Sequence, residues 1–149
     1  ASTRSGMRMR IADVLKSKGN EVATVSSSTT VAELLALLAE YNIGAVPVVD
    51  GETVVGIVSE RDIVRRLHSS GTGLLETATS EIMSTHVTTC APGDGVADLA
   101  KIMTERRFRH MPVVVDGKLV GIVSIGDLVK ARIDQLENER EQLASYINS

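Results

Sequence analysis

The spacing of apolar residues along the chain predicts the same helix twice. Apolar residues at i, i+3, i+4 and i+7 form one face of an amphipathic helix. This spacing occurs first at Val31, Leu34, Leu35 and Leu38 and again at Val96, Leu99, Ala100 and Met103. Thr30 and Glu33 at the start of the first helix have the spacing of a capping box.

Stretches rich in Val and Ile predict strands around each of these helices. One short strand precedes the helix and two longer strands follow it. The strands are residues 22–25, 45–50 and 54–59 in the first block and 87–90, 110–116 and 119–124 in the second. Asp50-Gly51 and Asp116-Gly117 predict the hairpin turns, because both residue types tolerate a positive φ. A second helix is expected after Ser59 and Ser124, so each block has the order β-α-β-β-α.

The two blocks are copies of one unit. Residues 47–64 and 112–129 align at an offset of 65 without a gap and are identical at ten of eighteen positions. A unit of about 60 residues buries little surface by itself. We therefore expect an α+β fold in which two such units pack with their sheets face to face around a pseudo-two-fold axis.

The repeat also predicts the domain organisation. Residues 1–10 are assigned to an N-terminal tail, and the part before Met7 is expected not to belong to the natural chain. The first repeat is placed at 11–68 and the second at 81–131. The Ser-, Gly- and Thr-rich residues 69–80 are expected to be a linker, and residues 132–149 a C-terminal helix extension.

The C-terminal helix carries apolar residues at heptad spacing. From Val129 they continue at Ile133, Leu136, Leu143 and Ile147, with Arg140 in the missing position. Two interpretations are open: a tail helix that folds back on its own domain, or a helix through which two chains dimerise.

Composition narrows the class of partner and the compartment. The net charge is −3 and the pI about 5.6, which gives no basic surface for nucleic acid. No apolar run approaches the roughly 18 residues of a membrane span. Cys90 is the single cysteine, so no intrachain disulfide forms, and we expect a half-buried structural thiol in a cytoplasmic protein.

Motifs for catalysis and metal binding are missing from the sequence. The glycines of 51–56 and 121–126 have the spacing of a phosphate-binding loop, but the Lys that must follow is absent. His68, His86 and His110 have no partner at the spacing of a metal pair. We therefore expect a protein that is not an enzyme and holds no catalytic cofactor and no metal.

One motif, Ser-x-x-Asp, follows the last strand of each repeat, at Ser59/Asp62 and Ser124/Asp127. Its simplest interpretation is a helix cap that was copied with the repeat. The same residues also suit a ligand pocket, because the hydroxyl and carboxylate can bond ribose hydroxyls and the helix N-terminus favours phosphate. Ile57 and Ile122 lie two residues earlier, on the same side of the strand, and can pack on a flat base.

The Pro-Val-Val … Gly-Ile-Val-Ser-x-x-Asp pattern at 47–62 and 112–127 resembles the cystathionine β-synthase (CBS) domain, and the pair of repeats resembles a Bateman module. The resemblance implies a tandem pair of CBS domains that binds adenosine-containing ligands (AMP, ADP, ATP, NAD or S-adenosylmethionine) between the repeats and commonly forms homodimers. Ser59, Asp62, Ser124 and Asp127 would hold the ribose. The base pocket would comprise Gly44, Ala45, Val46, Ile57, Met111, Pro112 and Ile122.

The two pockets are expected to differ in charge. Candidate phosphate ligands are Arg61 near the first pocket and Arg109 with His110 near the second. We expect the second pocket to prefer a phosphorylated ligand, such as AMP. The predicted function is a regulatory adenine-nucleotide sensor that acts on an unidentified protein partner. The alternative is a structural or protein-interaction module with degenerate pockets.

Overall fold

A computed structural model describes residues 9–19 and 22–148. Residues 1–8 of the expected tail lie outside the described residues. The helices are α1 (Ile11–Lys18), α2 (Val31–Tyr41), α3 (Glu60–Ser70), α4 (Val96–Arg106) and α5 (Ile125–Asn148). The strands are β1 (Ala45–Asp50), β2 (Thr53–Ser59), β3 (His110–Val115) and β4 (Lys118–Ser124). Two 3-10 helices, Gly71–Glu76 and Thr79–Glu81, lie between α3 and α4.

The two amphipathic helices predicted from apolar spacing are confirmed as α2 and α4. α2 begins with the expected capping box, in which Glu33 N–H donates to Thr30 Oγ1 (3.2 Å) and Thr30 N–H donates to Glu33 Oε1 (3.1 Å). Its buried face consists of Val31, Leu34 and Leu38. Val96, Leu99 and Met103 form the equivalent buried face of α4.

The predicted short strands are each reduced to a single bridge. Val25 pairs with Val48, and Cys90 pairs with Val113, both in parallel orientation. The Cys90 side chain is buried rather than half-buried, with 4% of its surface exposed. Burial, with a smaller contribution from the charge of Asp94, raises the pKa of the Cys90 thiol to about 12, so the thiol is protonated and structural at neutral pH.

Both hairpins form, with two-residue turns at equivalent positions of the repeat, 51–52 and 116–117. In the second hairpin Asp116 (φ 53°) and Gly117 (φ 78°) both adopt the positive φ that the sequence predicts. In the first hairpin Asp50 is the last residue of β1, and the turn consists of Gly51 (φ 66°) and Glu52. The expectation that Asp50 itself occupies the turn is wrong.

The four strands form one antiparallel sheet in the order β1-β2-β4-β3. β2 and β4 pair at Thr53 and Lys118 alone, next to an exposed ion pair between Lys118 Nζ and Glu52 Oε2 (3.1 Å). The expected face-to-face packing of two sheets is therefore wrong: the hairpins meet edge to edge, near their turns. The order is symmetric about the β2–β4 pair, as a pseudo-two-fold axis requires.

Each repeat has its own hydrophobic core. The second core includes α1 from the start of the first repeat, and the first core includes residues from the connecting stretch and from the start of the second repeat. Ile11, Val14 and Leu15 of α1 are buried in the core that contains α4, β3 and β4. Leu74 and Ile82 are buried in the core that contains α2, β1 and β2. The 3-10 helix around Leu74 lies in the stretch expected to be a linker, so this stretch is structured and packs against the first repeat.

We call α1 and residues 78–84 the exchanged segments, because each packs against the other repeat. Their backbone bonds are equivalent. Ile11 N–H donates to Asp94 O (2.9 Å) ahead of α4, and Thr79 N–H donates to Thr29 O (2.7 Å) ahead of α2. Arg10 bridges to Gly95, and Ala78 bridges to Thr30, each at the N-terminus of the helix that it contacts. The residues around α1 and around 78–83 are therefore structural counterparts.

α5 continues well beyond the second repeat as a single helix. The apolar residues at heptad spacing are all about half exposed or more; they are Val129, Ile133, Leu136, Leu143 and Ile147, with exposed fractions of 47–78%. The interpretation in which this face folds back on its own domain is not supported, since the face remains open.

Candidate functional site

Ser59 and Asp62 close the first turn of α3 with a reciprocal cap. Asp62 N–H donates to Ser59 Oγ (3.3 Å), and Asp62 Oδ2 accepts from both the N–H (2.8 Å) and the hydroxyl (3.0 Å) of Ser59. The capping interpretation of Ser-x-x-Asp is thus confirmed. Both side chains are partly exposed, so the cap is accessible from solvent.

Ser124 and Asp127 form the same cap at the start of α5, with one added partner. Ser124 N–H donates to Asp127 Oδ2 (2.8 Å), and Asp127 N–H donates to Ser124 Oγ (3.0 Å). Lys18 Nζ, at the end of α1, lies 2.6 Å from the same Asp127 oxygen and also donates to Ile122 O (2.9 Å). The aspartate of the second Ser-x-x-Asp motif therefore forms an ion pair with Lys18 of α1.

The ion pair controls the protonation of Asp127. Burial by itself raises the pKa of this carboxyl, but hydrogen bonds from Lys18 and Ser124, together with the charge of Lys18, outweigh burial. The net pKa lies below the usual value, so Asp127 is ionised at neutral pH.

His110 lies in the same group of charges. Burial lowers the pKa of the imidazole, and the positive charges of Lys18 and Arg109 lower it further, against the opposing effect of Asp127. His110 is therefore neutral at pH 7 and brings a hydrogen-bonding group rather than a charge.

The helix N-termini are less free than the sequence suggests. Glu60 N–H donates to Gly44 O (2.9 Å), and Ile125 N–H donates to Arg109 O (2.8 Å). Asp62 and Asp127 N–H are taken up by the serine hydroxyls. Two of the first three backbone N–H groups of each helix therefore already have partners, so fewer are available to a phosphate than the sequence predicts.

These backbone bonds bring several candidate residues together. Strand register places Ala45 opposite Ser59 and His110 opposite Ser124. Gly44 and Arg109 precede these residues and are tied to the first residue of α3 and α5. Each Ser-x-x-Asp therefore lies beside the start of the first strand of its own hairpin.

The base-pocket candidates fall on two faces of the sheet. Ile57 and Ile122 are partly exposed and share a side with Ser59 and Ser124, as strand alternation predicts. Val46 and Met111 are 0% exposed and belong to the two cores. Their placement in a base pocket needs correction, because they point to the face that packs against the helices.

The remaining candidates also differ in exposure. Pro112 pairs with Ile122 and is buried in β3. Arg61, in the first turn of α3, and Arg109, ahead of β3, are both exposed and can reach toward a ligand.

Two residues near the pockets escaped the sequence interpretation. Lys18 reaches Asp127 across a separation of 109 residues, and no local pattern signals this contact. Ser84 bridges to Ile57 through two backbone bonds, Ile57 N–H to Ser84 O (3.0 Å) and Ser84 N–H to Ile57 O (2.9 Å). Each candidate pocket is thus bordered by an exchanged segment: α1 borders the second, and residues 78–84 border the first. No sequence motif signals either contact.

Open clefts also occur outside the Ser-x-x-Asp residues. A cleft of about 450 Å³ lies where the two hairpins meet, with Gly51, Glu52 and Lys118 in its lining. Another of about 650 Å³ lies between α1 and β4, lined in part by Leu15, Lys16 and Val120. Neither is lined by Ser59, Asp62, Ser124 or Asp127, whose chemistry nevertheless makes them the better candidates.

Within residues 9–19 and 22–148, no group of three or more His, Cys, Asp or Glu side chains is placed to hold a metal ion. None of the helices in the same ranges is both long enough and apolar enough to cross a membrane.

Comparison with known proteins gives the family. The family model described as "CBS domain" matches residues 11–69 and 79–134. The CBS domain-containing protein YhcV of Bacillus subtilis is 36% identical over 119 residues, which are 80% of this chain and 82% of that protein.

Solved structures agree with this assignment. The CBS-domain containing protein ATU1752 from Agrobacterium tumefaciens superposes with a TM-score of 0.79 at 40% identity, covering 83% of this chain and 99% of that one. The CBS domain pair of protein MJ0100, solved in complex with 5′-methylthioadenosine and S-adenosyl-L-methionine, has a TM-score of 0.76 at 26% identity, covering 86% of this chain and 98% of its own. The chain, with its two β-α-β-β-α repeats and paired Ser-x-x-Asp caps, belongs to the CBS domain family.

Proposed function

We propose that this CBS pair is a non-catalytic regulatory module that binds an adenosine-containing ligand beside the Ser-x-x-Asp caps. The observation that carries the proposal is the accessible cap of each repeat, in which the Asp carboxylate accepts from the backbone N–H of its Ser, with the Ser hydroxyl alongside and a partly exposed isoleucine nearby. This arrangement offers acceptors for a vicinal diol and an apolar contact for a base. The adenosine-containing ligands of the MJ0100 pair are of the same chemical class.

The roles follow the position of each side chain. Asp62 and Asp127 accept from ribose hydroxyls, with Ser59 and Ser124 beside them. Ile57 and Ile122 pack on the base, and backbone at Gly44–Ala45 and at 109–112 borders it.

A phosphate-bearing ligand such as AMP suits the second pocket better than the first. Arg109 and Lys18 bring two positive charges near His110, which lies opposite Ser124, and the first repeat has Gly44 at the position of Arg109. A guanidinium forms strong, paired hydrogen bonds to phosphate. Arg61 is the cationic candidate near the first pocket.

Ligand binding would be read out as a change in packing between the repeats. Each candidate pocket borders a segment that comes from one repeat and is buried in the core of the other. A ligand that contacts both repeats can shift the equilibrium between two packing arrangements of the repeats only if it binds one arrangement more tightly than the other. We propose that a protein partner in the cytoplasm senses this difference.

The test is a binding panel with single-site variants. Titration calorimetry with AMP, ATP, NAD and S-adenosylmethionine is expected to give micromolar or tighter binding of at least one ligand. Asp127→Ala is expected to weaken binding of AMP about tenfold or more, and more than Asp62→Ala does, since a hydrogen bond to a charged group contributes about 1.5–3 kcal/mol. Asp134→Ala, on an exposed part of α5, is the control. Equal losses in the two pocket variants would contradict the asymmetry.

A second candidate function is supported by the open apolar face of α5. Heptad spacing from Val129 to Ile147 is typical of a helix that pairs with an identical helix. In this alternative the chain is a homodimeric structural or interaction module with degenerate pockets. Native mass spectrometry of the purified protein separates the two: a retained nucleotide supports the sensor, and a dimer that binds none of the panel supports the alternative.

A further inference from the structure

The Lys18–Asp127 ion pair distinguishes the second pocket from the first. Lys18 Nζ lies 2.6 Å from Asp127 Oδ2 and 2.9 Å from Ile122 O, so the ammonium bonds one residue assigned to the ribose and one assigned to the base. The side chains of Lys18 and Asp127 retain 39% and 27% exposure. The Lys18 ammonium is thus bound to the Asp127 carboxylate that the ribose of a ligand would need as an acceptor.

α1 anchors the backbone of Lys18, while the side chain is 39% exposed. Ile11, Val14 and Leu15 of the same helix are buried in the second core. Leu15 packs so closely on β4 that a Cβ at Gly121 would lie 2.6 Å from Leu15 Cδ2. Because α1 is docked along this face, the ammonium can leave Asp127 by side-chain rotation without undocking the helix.

The first pocket has a different residue in the equivalent place. The bridges Arg10–Gly95 and Ala78–Thr30 make α1 the counterpart of the residues that follow Ala78. Counting from these bridges, Leu15 corresponds to Met83, which packs on Gly56 as Leu15 packs on Gly121. Lys18 then corresponds to His86, which is exposed. Among the described residues, the hydrogen bonds to the Asp62 side chain come from Ser59.

The ion pair imposes a condition on any ligand of the second pocket. Ribose hydroxyls must compete with an ammonium for the Asp127 carboxylate, and the displaced ammonium needs a new counter-charge. A neutral nucleoside supplies none, whereas a phosphate group supplies two or more acceptor oxygens with negative charge.

We propose that Lys18 is the specificity-determining residue of the second pocket: its ammonium excludes neutral nucleosides from Asp127 and moves onto the anionic group of a ligand that carries a phosphate. The inference rests on the proposed function and adds to it the charge class of the ligand and the residue that selects it.

The test compares AMP with adenosine in each pocket separately. In ¹⁵N-labelled protein, the amide of Gly126 reports the second pocket and the amide of Arg61 reports the first, so two dissociation constants are obtained from one NMR titration. Lys18→Met is expected to tighten adenosine binding at Gly126 and to weaken AMP binding there. The AMP preference over adenosine should fall by about tenfold in the second pocket and stay unchanged in the first.

Three further variants sharpen the test. Lys16→Met removes the same charge from the same helix without touching Asp127 and should leave the preference intact. Lys18→Arg keeps a cation and should also retain it, whereas Lys18→Gln should lose it as Lys18→Met does. An AMP preference unchanged in Lys18→Met, or an equal change for both ligands, would overturn the inference while leaving the proposed function standing. Absence of AMP and adenosine binding in both pockets would overturn the inference, and absence of binding by every ligand of the calorimetry panel would overturn the proposed function as well.

Discussion

The two Ser–Asp caps show how identical residues acquire different chemistry from their surroundings. Both aspartates accept from the backbone N–H of their serine at 2.8 Å. Of these two aspartates, only Asp127 also has a lysine of the described part of the chain within ion-pair distance. The local hydrogen bonds set the geometry of the carboxylate, and the residue that arrives from α1 sets its charge balance.

The Lys18–Asp127 pair predicts a measurable pH dependence of stability. The pKa of Asp127 is lower in the folded chain than the usual value of about 3.9. The ionised group therefore stabilises the fold above that pH, and the contribution is lost as the pH falls through the folded pKa. Lys18→Met should lower the free energy of unfolding by about 1 kcal/mol or less at pH 6 and by a smaller amount at pH 3.

Urea unfolding at the two pH values measures this difference. Lys16→Met serves as the matched control, since it changes the net charge equally. If Lys18→Met costs the same free energy at pH 6 as at pH 3, the ion pair does not contribute in the way proposed.

At the level of elements, the stretch between α3 and α4 contributes more to the hydrophobic core than its sequence suggests. The residues between α3 and α4 are rich in Ser, Gly and Thr, yet Leu74 in their midst is 2% exposed and lies in the core of the first repeat. Thr79 is fully buried, and its hydroxyl donates to Thr29 O at 2.6 Å. These contacts bind the connecting segment into the fold.

A pair of adjacent leucines tests this role. Leu74→Ala should lower the free energy of unfolding by about 2–5 kcal/mol, because it leaves a cavity in the core. Leu75→Ala is the control; its side chain is 39% exposed, and a change of about 0.5 kcal/mol or less is expected. Chemical denaturation followed by circular dichroism measures both. If Leu74→Ala lowers the free energy of unfolding as little as Leu75→Ala does, the segment is not part of the core.

At the scale of the whole molecule, α5 leaves its row of apolar residues at heptad spacing about half exposed or more. Leu136 lies near the middle of the heptad series and is 47% exposed, and Leu143 is 64% exposed. Burial of such a face between two identical helices removes apolar area from water, with a gain of about 25 cal/mol per Å². We therefore expect this chain to form a homodimer through α5.

Leu136→Asp should dissociate that dimer, since it places a charge in the apolar seam. Asn138→Asp adds the same charge two residues away, off the seam, and should leave the dimer intact. Sedimentation equilibrium at micromolar concentration distinguishes the two species. A monomeric wild-type chain, or a Leu136→Asp variant that remains dimeric, would contradict the expectation.

The contents of each repeat were predictable because they depend on neighbours in the sequence. Helix faces, the Thr30–Glu33 box, the positive-φ turn at Asp116-Gly117 and both Ser-x-x-Asp caps join residues separated by a few positions. The duplication made the helix faces and the Ser-x-x-Asp caps visible twice. The roles of the caps in ligand binding remain predictions.

The sequence by itself determined the two repeats, the buried faces of their helices, their family and both Ser-x-x-Asp caps, since periodicity and short motifs encode local structure. Tertiary structure alone decided how the hairpins meet, which core α1 and Leu74 complete, and where Val46 and Met111 point. It also decided that Lys18 reaches Asp127. These contacts join residues far apart in the chain, and they arise from packing of apolar surfaces that no local pattern specifies.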